Sequence, residues 1–277
     1  MIVRRMQPAD REQAERLWID IFGDTESFTH WFFAERFSPE TSFAAFDGDR
    51  LAAMTLGRET KILVEGKERR ALLISGVSTL PEYRGRGLMH TLVSAQTEDA
   101  KDKGFSCCYL HPVRESLYSS LGFKTGTEAL TVCSDPNRNN AVFTIREGTD
   151  VACMRAVYNT LLPLYNGMQI RDEAEIRALL YDYGADGFRM LTAYTEDRPI
   201  GYMIILDDGT VSELFALCAN GYAALLDEAA KYAGHEIEAI VPTDCGLKGE
   251  RHYGIQYLVF NDAFDLPLKN GFCRLTY

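Results

Sequence analysis

Two short stretches of this 277-residue chain hold residues whose types and spacing could do chemistry together. The first is Ile74-Ser75-Gly76-Val77-Ser78-Thr79-Leu80-Pro81-Glu82-Tyr83-Arg84-Gly85-Arg86-Gly87-Leu88-Met89. It reads as a strand that ends in a glycine turn and opens a helix. Such a turn presents free backbone N–H groups at the helix N-terminus, where the dipole favours negative charge, and so makes a cradle for a pyrophosphate. Gly85 and Gly87 let the backbone approach a ligand, while Arg84 and Arg86 add positive charge around it. Neither common phosphate loop fits: a Walker Gly-Lys-Ser/Thr ending is missing, and a dinucleotide fingerprint would need glycine where His90 stands. The second stretch is Ser116-Leu117-Tyr118-Ser119-Ser120-Leu121-Gly122-Phe123, in which Tyr118 is either a core aromatic or a proton donor.

The Arg84-Gly85-Arg86-Gly87 turn resembles the Q/R-x-x-G-x-G/A signature of GNAT acyltransferases, with Arg84 and Gly87 in the first and fourth positions and Met89 in the last. A bulky residue in that last place is similar to the arginine-rich turn of the Eis-like (enhanced intracellular survival) acetyltransferases. The Tyr118 segment looks like the family's LY-x-x-x-GF motif, and the resemblance is specific over about residues 40 to 133. It implies an α/β (α+β) chain of tandem GNAT-like folds, mixed mostly antiparallel sheets flanked by helices, with a degenerate second copy. It also implies acetyl-CoA as co-substrate and direct transfer to a small-molecule or peptide amine. The pyrophosphate would sit on Arg84, Gly85, Arg86, Gly87, Leu88 and Met89, and the pantetheine arm on the main chain of Val77, Ser78 and Thr79. Backbone N–H groups of that strand would stabilise the oxyanion, and Tyr118, with an unperturbed pKa of about 10, would protonate the leaving thiolate. Eis-like proteins normally carry a further C-terminal domain, for which this chain has no room.

The general base stays open. An alkylamine has a pKa of about 10.4, so some group must take a proton before or during attack. The family often uses a glutamate on the fourth strand, yet Ala71 to Thr79 holds no carboxylate. Glu26, Glu35, Glu68, Glu115, His111 and the terminal carboxylate of Tyr277 are the candidates. Two rival readings also stand: a non-catalytic acyl-CoA-binding or regulatory module, and an acyltransferase with a longer acyl or aminoacyl-tRNA donor.

The elements that must position these residues are set by periodicity. Ala14, Leu17, Trp18, Ile21 and Phe22 share a helical face before Gly23, and a second helix carries Phe28, Trp31, Phe32 and Glu35 with Asp24 or Thr25 as its cap. Strands are expected at 42–46, 50–57, 61–64 and 70–80, with turns at Asp47-Gly48 and Glu65-Gly66. A helix from Leu88 to Gly104, a strand at 105–110, a short helix through Tyr118 and a strand at 129–133 complete the first half. Ser134 to Asn140 is polar and turn-rich, which places a boundary between domains 1–135 and 141–277. Helices at about 150–162, 172–183 and 222–232 and strands at 211–217 and 237–241 then partly repeat the order, and Ala193 to Arg198 resembles the hairpin Ala45 to Arg50. The second half has no glycine-arginine turn: only Cys218-Ala219-Asn220-Gly221 precedes its helix.

Composition narrows the class. The 46% hydrophobic and 25% charged fractions are those of a soluble globular protein, no apolar run is long enough to cross a bilayer, and Met1 to Pro8 turns polar too early for a signal peptide. The expected location is the cytoplasm. A net charge of −11 speaks against a nucleic-acid surface and suits a cationic acceptor. Seven cysteines without a CxxC pair and five histidines without HxxxH or HExxH spacing indicate neither a disulfide framework nor a metal site. Oligomeric state, a homo-oligomer included, is not encoded legibly.

Overall fold

The computed structural model describes residues 1–137, 143–185 and 187–274. The first half contains β1 (Ile2–Arg5), α1 (Arg11–Phe22), α2 (Glu26–Glu35), β2 (Phe43–Asp47), β3 (Arg50–Val64), β4 (Lys67–Thr79), α3 (Leu88–Asp102), β5 (Cys107–Leu110), α4 (Ser116–Ser119), β6 (Lys124–Thr125) and β7 (Glu128–Ser134). The second contains β8 (Thr144–Glu147), α5 (Val151–Leu161), α6 (Glu173–Ala185), β9 (Phe188–Thr195), β10 (Arg198–Leu206), β11 (Val211–Ala216), α7 (Ala219–Ala233), β12 (Ile237–Val241), β13 (Glu250–Tyr253) and β14 (Gln256–Val259).

Local signals explain many of these elements. Helix α1 buries Ala14, Leu17 and Trp18 and ends where Gly23 turns left-handed. Thr25 caps α2 by accepting the Phe28 amide, a contact that stabilises a helix by about 1 kcal/mol. The two strands expected at 50–57 and 61–64 are one strand, because Arg58, Glu59 and Thr60 stay paired with Leu73, Leu72 and Ala71 of β4. Ser134, expected to begin the linker, instead ends β7, where it is buried and donates a hydrogen bond to Asp227. Residues 138–142 of that polar stretch lie outside the described residues.

The described strands form three sheets, ordered β1-β2-β3-β4-β5-β14-β6, β11-β10-β9-β8 and β12-β7-β13. All pairings are antiparallel except β4 with β5. This order contains a reciprocal exchange. Strand β14, from late in the chain, lies between β5 and β6, whereas β7 crosses over to lie between β12 and β13. The two crossings touch, with the Gly126 amide donating to Ile255 O and the Gly254 amide to Thr127 O, both at 2.9 Å.

Helices α1 and α2 pack on one face of the first sheet and α3 on the other; α5 and α6 face α7 across the second. Cys107 and Cys108 point to opposite sides of β5, into the clusters around Tyr257 and around Val93 respectively. A carboxylate also joins the halves: Glu175 of α6 accepts from Arg36 at 2.9 Å and from Arg58 at 2.5 Å.

Candidate active site

Strands β4 and β5 pair only at Ala71 with Cys107, Leu72 with Cys108 and Leu73 with Tyr109. Beyond Leu73, β4 stays on β3 and leaves its other edge unpaired among the described residues. A bulge bends it there. Ser75 opposes Leu56 and Ser78 opposes Met54, so Gly76 and Val77 together face Thr55. Gly76 has φ 56°, and a Cβ on it would lie 2.7 Å from the Trp18 ring, so both backbone and packing require glycine.

After Thr79 the chain makes one 3-10 turn, Pro81–Tyr83, pinned by the buried Tyr83 ring and its hydroxyl, which donates to Asp47 at 2.9 Å. Gly85 and Gly87 then adopt φ 75° and 74°. A Cβ on either would meet no atom within 4 Å, so left-handed backbone selects glycine while the space beside the turn is open. Helix α3 has no side-chain cap, and Thr91 N bonds to Gly87 O at 3.1 Å, which leaves the amides ahead of it for an anion. Arg84 folds back to donate to Thr79 O at 3.2 Å; Arg86 donates to Glu82 O at 3.0 Å and lies over Tyr83 at 4.9 Å. An open glycine turn, an uncapped helix and two exposed cations are what a pyrophosphate needs, and the residues fit it.

The remaining expected residues converge on this place. Val77, Met89 and Tyr118 belong to one apolar cluster with Leu110 and Phe123, so strand, turn and tyrosine segment meet. Tyr118 is 7% exposed and packs edge-on against Phe123 with ring centres 5.9 Å apart. Ser78 is buried and its hydroxyl donates to Gly76 O at 3.3 Å, which supports the bulge; Thr79 supplies the carbonyl that Arg84 holds. Leu88 is different: its side chain is buried against Phe43 and Leu92, away from the open turn.

A cavity of about 310 Å³ lies at the crossing between the halves, lined by Thr127, Gly254 and Ile255 of the crossing itself and by His111, Asp182, His252 and Arg274. His111 follows β5 directly and stands at the exposed rim. Partial desolvation, Arg274 and His252 push its pKa below the usual histidine value of 6.5. Among the described base candidates only His111 lines this cavity. Glu26 and Glu35 are exposed on α2, Glu68 pairs with Lys61 at 3.2 Å on the outer part of the β3–β4 hairpin, and Glu115 accepts from Thr125 at 2.7 Å. Tyr277 lies outside the described residues. Sequence reasoning missed Asp182, His252 and Arg274, which have no motif around them: they come from α6, from β13 and from beyond β14, and meet only in the tertiary structure.

Cys133, Glu236 and Glu238 also bring ligand atoms within 4.8 Å of one another, but on an exposed edge where acidic groups commonly gather without an ion. No helix among the described residues is long and apolar enough to cross a membrane.

Residues 2–126 match the family model described as an acetyltransferase (GNAT) domain. The chain therefore contains a GNAT acetyltransferase domain over residues 2–126. No curated protein matches the sequence significantly. Among solved structures, a conserved protein from Enterococcus faecalis V583 superposes with a TM-score of 0.74 at 16% identity, over 93% of this chain and 72% of that one. A GCN5-related N-acetyltransferase from Anabaena variabilis gives 0.72 at 14% identity, over 94% and 73%. Eis1 from Mycobacterium abscessus gives 0.70 at 15% identity, over 94% and 74%. These likenesses establish the fold of nearly the whole chain.

Proposed function

We propose that the protein transfers an acetyl group from acetyl-CoA directly to a primary amine, small-molecule or peptide. Two GNAT-like units, 1–135 and 141–277, would share the work: the first holds the donor, and the second closes the acceptor cavity. The observation that carries this reading is the open Gly85–Gly87 turn that follows the unpaired edge of β4, together with His111, directly after β5, lining the cavity at the crossing.

Acetyl-CoA supplies the acyl group as an activated thioester. Arg84 to Met89 would bind its pyrophosphate, and the main chain of Val77, Ser78 and Thr79 would pair with its pantetheine amides. His111, neutral at pH 7 because its pKa is lowered, takes a proton from the acceptor nitrogen as that nitrogen bonds to the acyl carbon and becomes more acidic. Free amides of the β4 bulge stabilise the charge that develops on the acyl oxygen. As the carbon–sulfur bond breaks, Tyr118 gives its proton to sulfur and regains one from solvent.

Calorimetric titration with acetyl-CoA tests the reading first. Binding of one equivalent per chain is expected, and Gly87→Glu should abolish it by placing bulk and negative charge in the cradle. Intact binding in that variant, or none in the native protein, would remove the donor site from the first unit.

A further inference from the structure

The cavity at the crossing contains a second imidazole whose hydrogen bonding fixes what it can offer. His252 lies on β13, opposite Ala129 of β7. Its Nδ1 is 3.2 Å from the carbonyl oxygen of Tyr253. A carbonyl only accepts, so in the neutral ring Nδ1 carries the hydrogen and Nε2 carries a lone pair. That Nε2 is buried and has no hydrogen-bond partner among the described residues. An unpartnered buried acceptor is costly, on the order of 1–3 kcal/mol, unless something else fills the need.

The setting indicates what that something is. His252 and His111 line the same cavity. Asp182 of α6 adds a carboxylate to the wall and Arg274 a guanidinium, so the two charges balance and the cavity suits a neutral polar head. The guanidinium of Arg274 is directed to the β11 carbonyls of Ser212 and Val211 at 2.8 and 3.3 Å. The rest of the lining is largely apolar, with Phe28, Leu206, Ile240, Ile255 and Phe272.

We propose that His252 holds the acceptor: its Nε2 accepts a hydrogen bond from the nitrogen of a small primary amine whose body is apolar and fills the cavity. This rests on the acetyltransfer reading above, and it makes His252 the orienting partner of His111. A polyamine or an aminoglycoside would bring more polar groups than the wall can pair, whereas an arylalkylamine would not.

The probe is 2-phenylethylamine, with thiol release measured at saturating acetyl-CoA. His252→Leu should raise the KM for the amine about threefold to tenfold, the effect of losing one hydrogen bond to the free amine. Its KM for acetyl-CoA should stay within about twofold of the native value, since His252 does not touch the donor groove. His252→Gln, which restores an acceptor oxygen, should recover most of the loss. An unchanged amine KM in His252→Leu overturns the proposal. So does a native protein that binds acetyl-CoA but does not turn over this amine; a native protein that binds no acetyl-CoA instead removes the function on which the proposal rests.

Discussion

The hairpins β2–β3 and β9–β10 are built to one plan, but the segments after them diverge. In the first, Phe46 pairs with Leu51 and Ala45 with Ala53, so Ala52 is an extra, bulged residue. In the second, Tyr194 pairs with Pro199 and Ala193 with Gly201, leaving Ile200 extra at the same place. Even the neighbouring strands agree: Arg4 of β1 lies over Phe46 at 4.1 Å and Arg146 of β8 over Tyr194 at 4.4 Å. Past the hairpins the halves part. Strand β4 carries the Gly76 bulge and the open turn from Leu80 to Gly87, whereas β11 pairs evenly from Glu213 to Ala216 and reaches α7 through Leu217 and Cys218 alone. At Gly221, near the start of α7, a Cβ would lie 3.1 Å from both Ala216 and Ile200, so side chains fill the region that is open at Gly85 and Gly87.

The gap between strands differs as well. Strands β11 and β12 fall in different sheets, and Arg274 inserts its guanidinium against the free carbonyls of β11. Beneath β11, Arg171 and Glu213 form an ion pair at 2.7 Å with side chains 1% and 0% exposed. Burial opposes charge on Arg171, but Glu213 and the surrounding tyrosines outweigh it and raise its pKa. The same framework thus leaves its loop open in the first half and fills both loop and gap from within in the second.

The largest effect should come from breaking the buried Arg171–Glu213 pair. Arg171→Met strands the Glu213 carboxylate in the core and should cost about 3–5 kcal/mol in chemical denaturation, while any folded fraction still binds one acetyl-CoA. Loss of donor binding in the folded fraction would mean that the halves are less separate in role than their loops suggest.

Tyr118→Phe probes the chemical half. It keeps the packing against Phe123 and removes only the hydroxyl, so kcat should fall about 100-fold with acetyl-CoA affinity unchanged. Equal turnover would make Tyr118 a core residue and nothing more.

The smallest change concerns pH. A His111 with a depressed pKa is neutral above that value and protonated below it, so kcat/KM for the amine should rise through a limb lying below pH 6.5 and then level. His111→Gln should flatten the limb as well as slow the reaction. A limb that persists in the variant would move the base elsewhere.

Much of this architecture was legible in the chain because the signals are local. Gly23, Thr25, Asp47-Gly48 and Glu65-Gly66 act on their own backbone, and each ends, caps or turns the element it was expected to. The strand-turn-helix order around Arg84 to Met89 and the short helix through Tyr118 were legible for the same reason: turn chemistry and helical spacing are carried within a few residues. Two positions resisted for physical reasons. Leu88 sits in the motif but helical direction sends its side chain into the core, and the short strand β14 has no flanking hairpin to announce its partner.

By itself, then, the sequence determined most elements of the first half, its Gly85–Gly87 turn and the residue types around it, since those depend on conformational preferences of neighbouring residues. Only the tertiary structure decided the exchange of β7 and β14, the plugging of the second gap by Arg274, and the meeting of His111 with His252. The strand exchange and the meeting of the histidines join segments more than 100 residues apart and Arg274 reaches back 62 residues to Ser212, distances over which the sequence of one strand does not state which edge it will join.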